Sequence, residues 1–520
     1  MYDYLFTEEH QLFRQGLRDF IQQEVLPNID QWEEERRIPK ELWKKFGDMG
    51  YLGLNFPEEY GGMDADFYFS VIFLEEIARC YSGGFTITPS VQQYMASPYL
   101  LKHGSDFLKE KYLTKAIAGE WIASIAITEP GAGSDAANIQ TRAERKGDHY
   151  VVNGAKTFIT NAYYGDFMIT VVKTDPEQGA AGVSLLVIDR NAEGVSARKL
   201  KKLGWHASDT AELNFDDVKV PVENLIGEEG MGFYYLMGGL QLERLAGAIS
   251  AVAASEHALE YALQYMSERE AFGRPINKFQ VLRHRVAQLS AEIESTRAFV
   301  YHCARLHHDD EYAVKECSMA KLLATELSDK ATYQCLQFFG GYGYMEEYKI
   351  ARMFRDSRIG TIGGGTSEIM REIIAKMVID DQQYNGKSNT PAVSSNRPPR
   401  AAVAHTTTGQ ASSLTNHKNE TDMEMNEVMD QIKQRAANAS PLGNTLKFNM
   451  GEQTVFLDGT GDANTVSTDD KDADCTVEIA PDDFAALMSG DLNPMSAFMS
   501  GKIKVKGDMG VAMKLQSLLA

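Results

Sequence analysis

The chain has 520 residues, 43% hydrophobic and 24% charged, with 73 acidic against 52 basic side chains and a formal net charge of -21. This length and apolar content suffice for about three to four domain cores. The acidic balance excludes broad, non-specific attraction to nucleic acid or anionic lipid, which needs a basic face, so an anionic ligand requires a local pocket of positive groups. Five cysteines (Cys80, Cys303, Cys317, Cys335, Cys475) show neither zinc-site spacing nor the density of a disulfide framework; they read as reduced, mostly buried thiols, and no metal site is expected. The opening MYDYLFTEEHQLFRQGLRDF is acidic and amphipathic, no run approaches the ~18 apolar residues of a membrane span, and the final SLLA matches no peroxisomal or retention address. A soluble, cytoplasmic protein without a transmembrane segment or a nucleic-acid partner is the expectation.

From Glu8 to about Glu120 apolar residues recur at helical spacing, as in LFRQGLRDFIQQEVLPNI and YFSVIFLEEIARC, with breaks at PEEYGG and SGG, which predicts a helical domain over 1–121. Short β-branched runs follow (HYVVNGAKTFITNA, DFMITVVKTD, GVSLLVIDR, TAELNFDDVKV), separated by Gly, Asp and Asn turns, and predict a sheet domain over 122–231. From Gly232 the helical period returns with many small residues, as in RLAGAISAVAASEHALEYALQYM, giving a second helical domain over 232–383. Residues 384–420, rich in Ser, Thr, Asn and Pro, read as a flexible linker. A helix-like TDMEMNEVMDQIKQRAA, strands around LKFNM, QTVFLDG, CTVEIA and KIKVKGD, and helical FAALMSG and MKLQSLL then compose an independent α+β domain over 421–520.

The segment AITEPGAGSD, Ala126 to Asp135, sets Thr128 and Ser134 around a Gly-rich bend where the sheet begins. Glycines let backbone amides approach a large planar ligand and hydroxyls can donate to its heteroatoms, but an isolated Gly-rich bend is equally a structural turn. Its companions are FITNA (Phe158 to Ala162), REAFGRPINKFQ (Arg269 to Gln280) and QFFGGYGYMEEYKIARMFRD (Gln337 to Asp356). With these motifs the chain resembles the acyl-CoA dehydrogenase family over about Tyr4 to Asp380; Asn138 is a small departure from the first signature.

The resemblance implies an all-α, β-barrel-like sheet, all-α fold, bound FAD, an acyl-CoA substrate and electron-transfer flavoprotein as redox partner. It implies that Thr128, Ser134, Phe158 and Thr160 line the flavin, with Ser134 also on the substrate side. Arg269, Phe272, Gln280, Gln337 and Gly341 would hold the pyrophosphate and adenine end across a subunit boundary, and Thr366 and Glu368 would complete the contacts. A cofactor shared in this way implies a homodimer or homotetramer. Taken alone, Arg269 is equally a solvated charge at a helix end.

Abstraction of an α-proton from a thioester needs a carboxylate beside the substrate, its pKa raised by desolvation. In most of the family that Glu directly precedes the Gly-Thr of the motif after the second signature; here the stretch reads RDSRIGTIGGGTSEI and the position is Gly364. A branch resembling isovaleryl- and long-chain acyl-CoA dehydrogenases takes the carboxylate from an earlier helix. In GGLQLERLAGA that residue is Glu243, followed by Arg244 as a positioning and substrate-side residue. Gly364 keeps a backbone N–H able to polarise the thioester carbonyl. A lone helical Glu would otherwise read as a surface charge; the pairing of Glu243 with Gly364 favours the base.

The last hundred residues resemble the sterol carrier protein domain, which implies an apolar lipid tunnel and a lipid or acyl ligand. Phe484, Leu487, Met488, Met495, Phe498 and Met499 are candidates for its lining or for plain core. An acyl-CoA oxidase passing electrons to oxygen, and a lipid carrier on a non-catalytic flavin scaffold, are the alternatives to a dehydrogenase of long or bulky acyl chains.

Overall fold

The computed structural model describes residues 5–380, 443–450, 454–461, 463–481, 483–484 and 503–507. These fall into two compact units, divided at Ile374. The first opens with helices α1 (Glu8–Phe20), α2 (Ile29–Glu35), α3 (Lys40–Asp48), α4 (Phe67–Ile77), α5 (Gly83–Ser90) and α6 (Ser97–His103), then the short turns α7 (Asp106–Leu108) and α8 (Thr114–Ile117). The start of α1 is fixed by a reciprocal cap, in which the Thr7 side chain accepts from the His10 amide while the His10 ring takes the Thr7 N–H. Helix α4, FYFSVIFLEEI, buries residues around most of its circumference and therefore lies in the centre. The helical period is not continuous: widened π-helical turns occupy Ile21–Val25, Val91–Ala96 and Lys109–Leu113. The second begins just after Pro89, whose missing amide removes a bond from the end of α5.

Seven strands follow: β1 (Ala123–Ala126), β2 (Arg142–Lys146), β3 (His149–Thr160), β4 (Phe167–Lys173), β5 (Val183–Asp189), β6 (Val195–Lys199) and β7 (Thr210–Pro221). Their order is β1-β4-β2-β3-β7-β6, with β5 paired on β4. Strand β4 is buried at every position, as its unbroken apolar run FMITVV requires of a strand covered on both faces. The long pairing of β3 with β7 is antiparallel and slips between Val152 and Gly154 and again between Lys156 and Ile159. The second irregularity re-aims the chain just where FITNA begins.

The helical period returns in α9 (Gly232–Glu268), α10 (Gln280–His308), α11 (Val314–Phe339), α12 (Lys349–Ser357) and α13 (Ser367–Ala375), with a two-stranded hairpin β8 (Glu270–Ala271) and β9 (Arg274–Pro275) between α9 and α10. Ala246, Ala253 and Ala262 of α9 and Ala320, Ala324 and Ala331 of α11 are buried, and small side chains allow the two axes to approach closely. Helices from before and after the sheet share one core: Leu17, Phe73 and Phe85 belong to the same cluster as Leu245, Leu289 and Ala324. The sheet has its own core around Val152, Met168, Leu213 and Val218.

Buried carboxylates join these layers. Asp356 of α12 accepts the Gly83 amide at 2.9 Å and the Trp205 amide at 2.6 Å, and Glu33 of α2 accepts the Ser82 hydroxyl at 2.5 Å and the Ala207 amide at 3.2 Å. The SGG segment is thus more than a break: a Cβ at Gly84 would lie 2.8 Å from the Trp205 carbonyl carbon, so glycine lets the sheet's loop reach the helices. Burial and the neighbouring Glu33 carboxylate push the Asp356 acid above the usual carboxylate range.

The second unit contains a five-stranded sheet of β10 (Thr445–Asn449), β11 (Thr454–Asp458), β12 (Thr465–Ser467), β13 (Cys475–Ile479) and β14 (Ile503–Gly507), in the order β12-β11-β10-β13-β14, with β10 and β13 parallel. Leu446, Phe448, Cys475, Val477 and Ile479 alternate onto its buried face, where Phe448 and Phe484 stand 4.9 Å apart. The linker 384–420, the helix-like 421–437, Leu487, Met488, Met495, Phe498, Met499 and the closing MKLQSLL lie outside the described residues. All five cysteines are buried. Among the described residues no helix is long and apolar enough to cross a membrane and no side-chain cluster could hold a metal ion.

Substitution of Asp356 by Ala strands two part-buried amides, at about 1–2 kcal/mol each. The expected result is an unfolding midpoint lowered by several degrees in scanning calorimetry; an unchanged midpoint would show that this junction carries no stability.

Candidate active site

Helix α9 carries Glu243 and Arg244 into the packed interior, each only 8% exposed. Such side chains are rarely buried without partners. The Tyr99 hydroxyl of α6 donates to Glu243 Oε1 at 3.0 Å. Burial pushes the Glu243 carboxyl up to about 7, against the opposing pull of the Tyr99 hydrogen bond and the Arg244 charge. Arg244 Nη1 lies 3.4 Å from Ser318 Oγ of α11, while its buried Nε has no protein partner.

One turn further along α11, the ammonium of Lys321 donates to the Gly365 carbonyl at 2.6 Å. Burial, with Arg244 nearby, lowers the Lys321 amine to about 8. Gly364 and Gly365 have φ of 64° and 92°, the left-handed region that disfavours side chains. A Cβ at Gly364 would meet nothing within 4 Å. Helix α11 therefore links the Glu243 helix to the GGG loop, with Ser318 against one and Lys321 holding the other. Tyr99, Ser318 and Lys321 lie in no recognisable sequence motif.

The Gly-rich bend is anchored from beneath. Glu129 accepts the amides of Gln140 at 2.5 Å and Thr141 at 2.9 Å and pairs with the fully buried Lys156 ammonium at 2.8 Å. The Thr157 amide donates to the Thr128 carbonyl at 2.8 Å, so the first motif and FITNA lie side by side. Ser134 is exposed, Thr128 and Thr160 are half-buried, and Phe158 is 68% exposed with φ 63°.

A second group gathers at the far end of α9. Arg269 caps the helix and stands over the Tyr342 ring at 5.5 Å, which joins REAFGRPINKFQ to the motif holding Gln337 and Gly341. Arg269, Gln280, Gln337 and Gly341 are exposed, and Phe272 is 95% exposed with φ 53°. Aromatic side chains held open on left-handed backbone are strained and solvated at once, a combination that marks a contact surface. Among the described residues no hydrogen bond or ion pair connects this group to the one around Phe158. Thr366 accepts the Ile369 amide at 3.2 Å and so caps α13, while exposed Glu368 is held below the usual carboxylate range by its own amide and the Thr366 hydroxyl.

A separate cavity of about 310 Å³ between α1, α4, α9 and α10 is walled by Arg14, Arg18, Arg79 and Arg297 with Glu75, Glu76 and Glu256. Ile249, Val252 and Val300 also line the walls, and Glu243 is not among them.

Family models match the chain in sequence order: acyl-CoA dehydrogenase N-terminal domain over 7–120, middle domain over 124–218 and C-terminal domain over 230–379, then the SCP-2 sterol transfer family over 425–520. The mitochondrial long-chain specific acyl-CoA dehydrogenase of Sus scrofa is 42% identical over 383 residues, 73% of this chain and 88% of its own. An acyl-CoA dehydrogenase structure from Geobacillus kaustophilus superposes with a TM-score of 0.71 at 44% identity, covering 72% of this chain and 99% of its own. A chain in the structure of the electron transferring flavoprotein of Acidaminococcus fermentans gives 0.70 at 35% identity, covering 72% and 98%. The chain belongs to the acyl-CoA dehydrogenase family, whose activity is FAD-dependent dehydrogenation of acyl-CoA, and carries a domain of the SCP-2 sterol transfer family after it.

Proposed function

We propose that this chain converts acyl-CoA to trans-2-enoyl-CoA with Glu243 as the general base, and that the substrates are long or bulky acyl chains. The observation that carries the assignment is a carboxylate buried on α9 with its pKa near neutrality, together with a glycine loop in place of the usual late carboxylate. A base near the working pH combines a useful ionised fraction with real proton affinity. Glu243 takes the α-proton; the Gly364 N–H is offered to the thioester carbonyl as enolate charge develops; Arg244, charged throughout, orients the carboxylate and its surroundings.

Bound FAD supplies the two-electron acceptor for the β-hydride. The chain fits such a group: half-buried Thr128 and Thr160 and exposed Ser134 and Phe158 surround an open glycine bend, where Cβ atoms at Gly131 and Gly133 would meet nothing. We assign Arg269, Phe272, Gln280, Gln337 and Gly341 to the pyrophosphate and adenine end of a cofactor held between two copies, with Thr366 and Glu368 alongside. Support comes from the open aromatics Phe158 and Phe272, both exposed on left-handed backbone. A homodimer or homotetramer follows from that sharing. Electron-transfer flavoprotein is the proposed acceptor, and faster reoxidation of substrate-reduced enzyme by air than by that flavoprotein would favour an oxidase.

Replacing Glu243 with Gln is expected to leave FAD content unchanged and to lower flavin reduction by acyl-CoA by on the order of 10²–10⁴-fold; turnover near the wild-type rate would overturn the assignment. Because the free enzyme needs Glu243 ionised and its carboxyl is pushed up to about 7, kcat/KM is expected to fall as pH drops through that value. The SCP-2 domain on its tether is proposed to raise the local concentration of a lipophilic substrate. Deletion of residues 421–520 is then expected to raise the apparent KM for long-chain acyl-CoA several-fold more than for short-chain acyl-CoA, and equal changes across chain length would refute delivery.

A further inference from the structure

Glu243 has a flexible side chain that must present one oxygen to a substrate carbon, and burial alone does not choose which oxygen or which rotamer. Tyr99 makes that choice. Its phenol is 3% exposed, and burial holds its pKa well above the usual value, so at every working pH it is a donor with one hydrogen. That hydrogen goes to Oε1 of Glu243.

We propose that Tyr99 is a positioning residue for the proton transfer: by fixing Oε1 it leaves Oε2 to receive the α-proton, and Gly239 is the notch in α9 that admits it. The inference rests on Glu243 being the base. Gly239 precedes Glu243 by four residues and so lies on the same face of the helix. A Cβ at Gly239 would stand 2.6 Å from Cζ of Tyr99 and closer still to its hydroxyl, a separation that real Cβ atoms do not reach. The adjacent Gly238 would meet nothing within 4 Å. A glycine inside a helix costs about 1 kcal/mol relative to alanine, and here the phenol occupies the space that this glycine leaves.

The hydrogen bond also bears on when the base is ready. A donor to a carboxylate bonds the charged form more strongly than the neutral acid, so Tyr99 opposes the desolvation that raises Glu243. Among the described residues, Arg244 and the groups that face it are the electrostatic neighbours of the pair. Arg244 follows on α9 and favours the charged form; beyond it, Tyr312 and Cys317 face the guanidinium, the thiol being pushed up to about 12 and so neutral. Lys321, lowered to about 8, lies on the Arg244 side and spends its hydrogen bond on Gly365. Over the acid range, then, Glu243 is the group of this set that titrates, while Lys321 belongs to the alkaline side.

The test uses the full-length holoenzyme and rapid-mixing measurements of flavin reduction by an acyl-CoA between pH 5.5 and 9, on wild type, Tyr99→Phe, Gly239→Ala and Glu243→Gln. Loss of the hydroxyl is expected to move the acid limb up by about one pH unit, so that the loss is about tenfold larger below the limb than on the plateau above it, where the lost orientation of Glu243 acts alone. Gly239→Ala, which keeps the phenol but pushes it off Glu243, is expected to shift the limb in the same direction and carries the test if Tyr99→Phe folds poorly. An unmoved limb, or an equal loss at every pH, in the folded variants would overturn the role of Tyr99. If Glu243→Gln is inactive while the Tyr99→Phe limb is unmoved, only this inference fails; if Glu243→Gln keeps its turnover, the base assignment fails first.

Discussion

The buried carboxylate of Glu243 is the constraint on which the rest of the proposed chemistry depends. Taking a carboxylate out of water costs several kcal/mol, and a group so placed either finds donors or becomes a neutral acid. The fold leaves Glu243 between these outcomes, with one phenol, one guanidinium on its own helix and a pKa brought near 7. More donors would make it a weaker base, and none would leave it protonated. Its place on a helix packed into the shared core fixes its depth, because α9 cannot shift without disturbing Leu245 and Ile249 on the same helix.

The order of layers was legible in the sequence because each rested on a period. Strand β4 reads as a buried run, α9 as small residues at helical spacing, and β11, β13 and β14 as short segments with β-branched residues. The π-helical turns at Ile21–Val25 and Lys109–Leu113 were not legible, since a widened turn changes hydrogen bonding without changing composition. Nor was the single core formed by helices on both sides of the sheet, which depends on contacts between residues as distant as Phe73 and Leu245.

At the candidate site the same division holds. Glu243 and Gly364 could be paired because each occupies a recognisable motif. Tyr99 could not, because its bond spans 144 positions and YMASPYLLKHG reads as an ordinary amphipathic helix. A weak signal was present in GGLQLERLAGA: two adjacent glycines inside a helix are unfavourable, and such a cost usually marks a close approach. The structure separates the two, with Gly239 against a phenol and Gly238 facing open space.

A protein of net charge -21 that works on an anionic coenzyme thioester needs positive potential supplied locally. Arg244 and Lys321 are positive side chains close to the proposed base, and they act in different ways. Arg244 lies next to the base in sequence and is always charged, so it favours ionised Glu243 before substrate arrives. Lys321 donates to the carbonyl of Gly365, one residue beyond the amide proposed to meet the thioester oxygen, and two left-handed glycines in succession have no side chain to restrain them. A preorganised donor stabilises enolate charge only if it does not have to reorient when that charge appears. By holding the loop through its backbone, Lys321 can restrain the Gly364 amide without placing a side chain in the space left open for substrate.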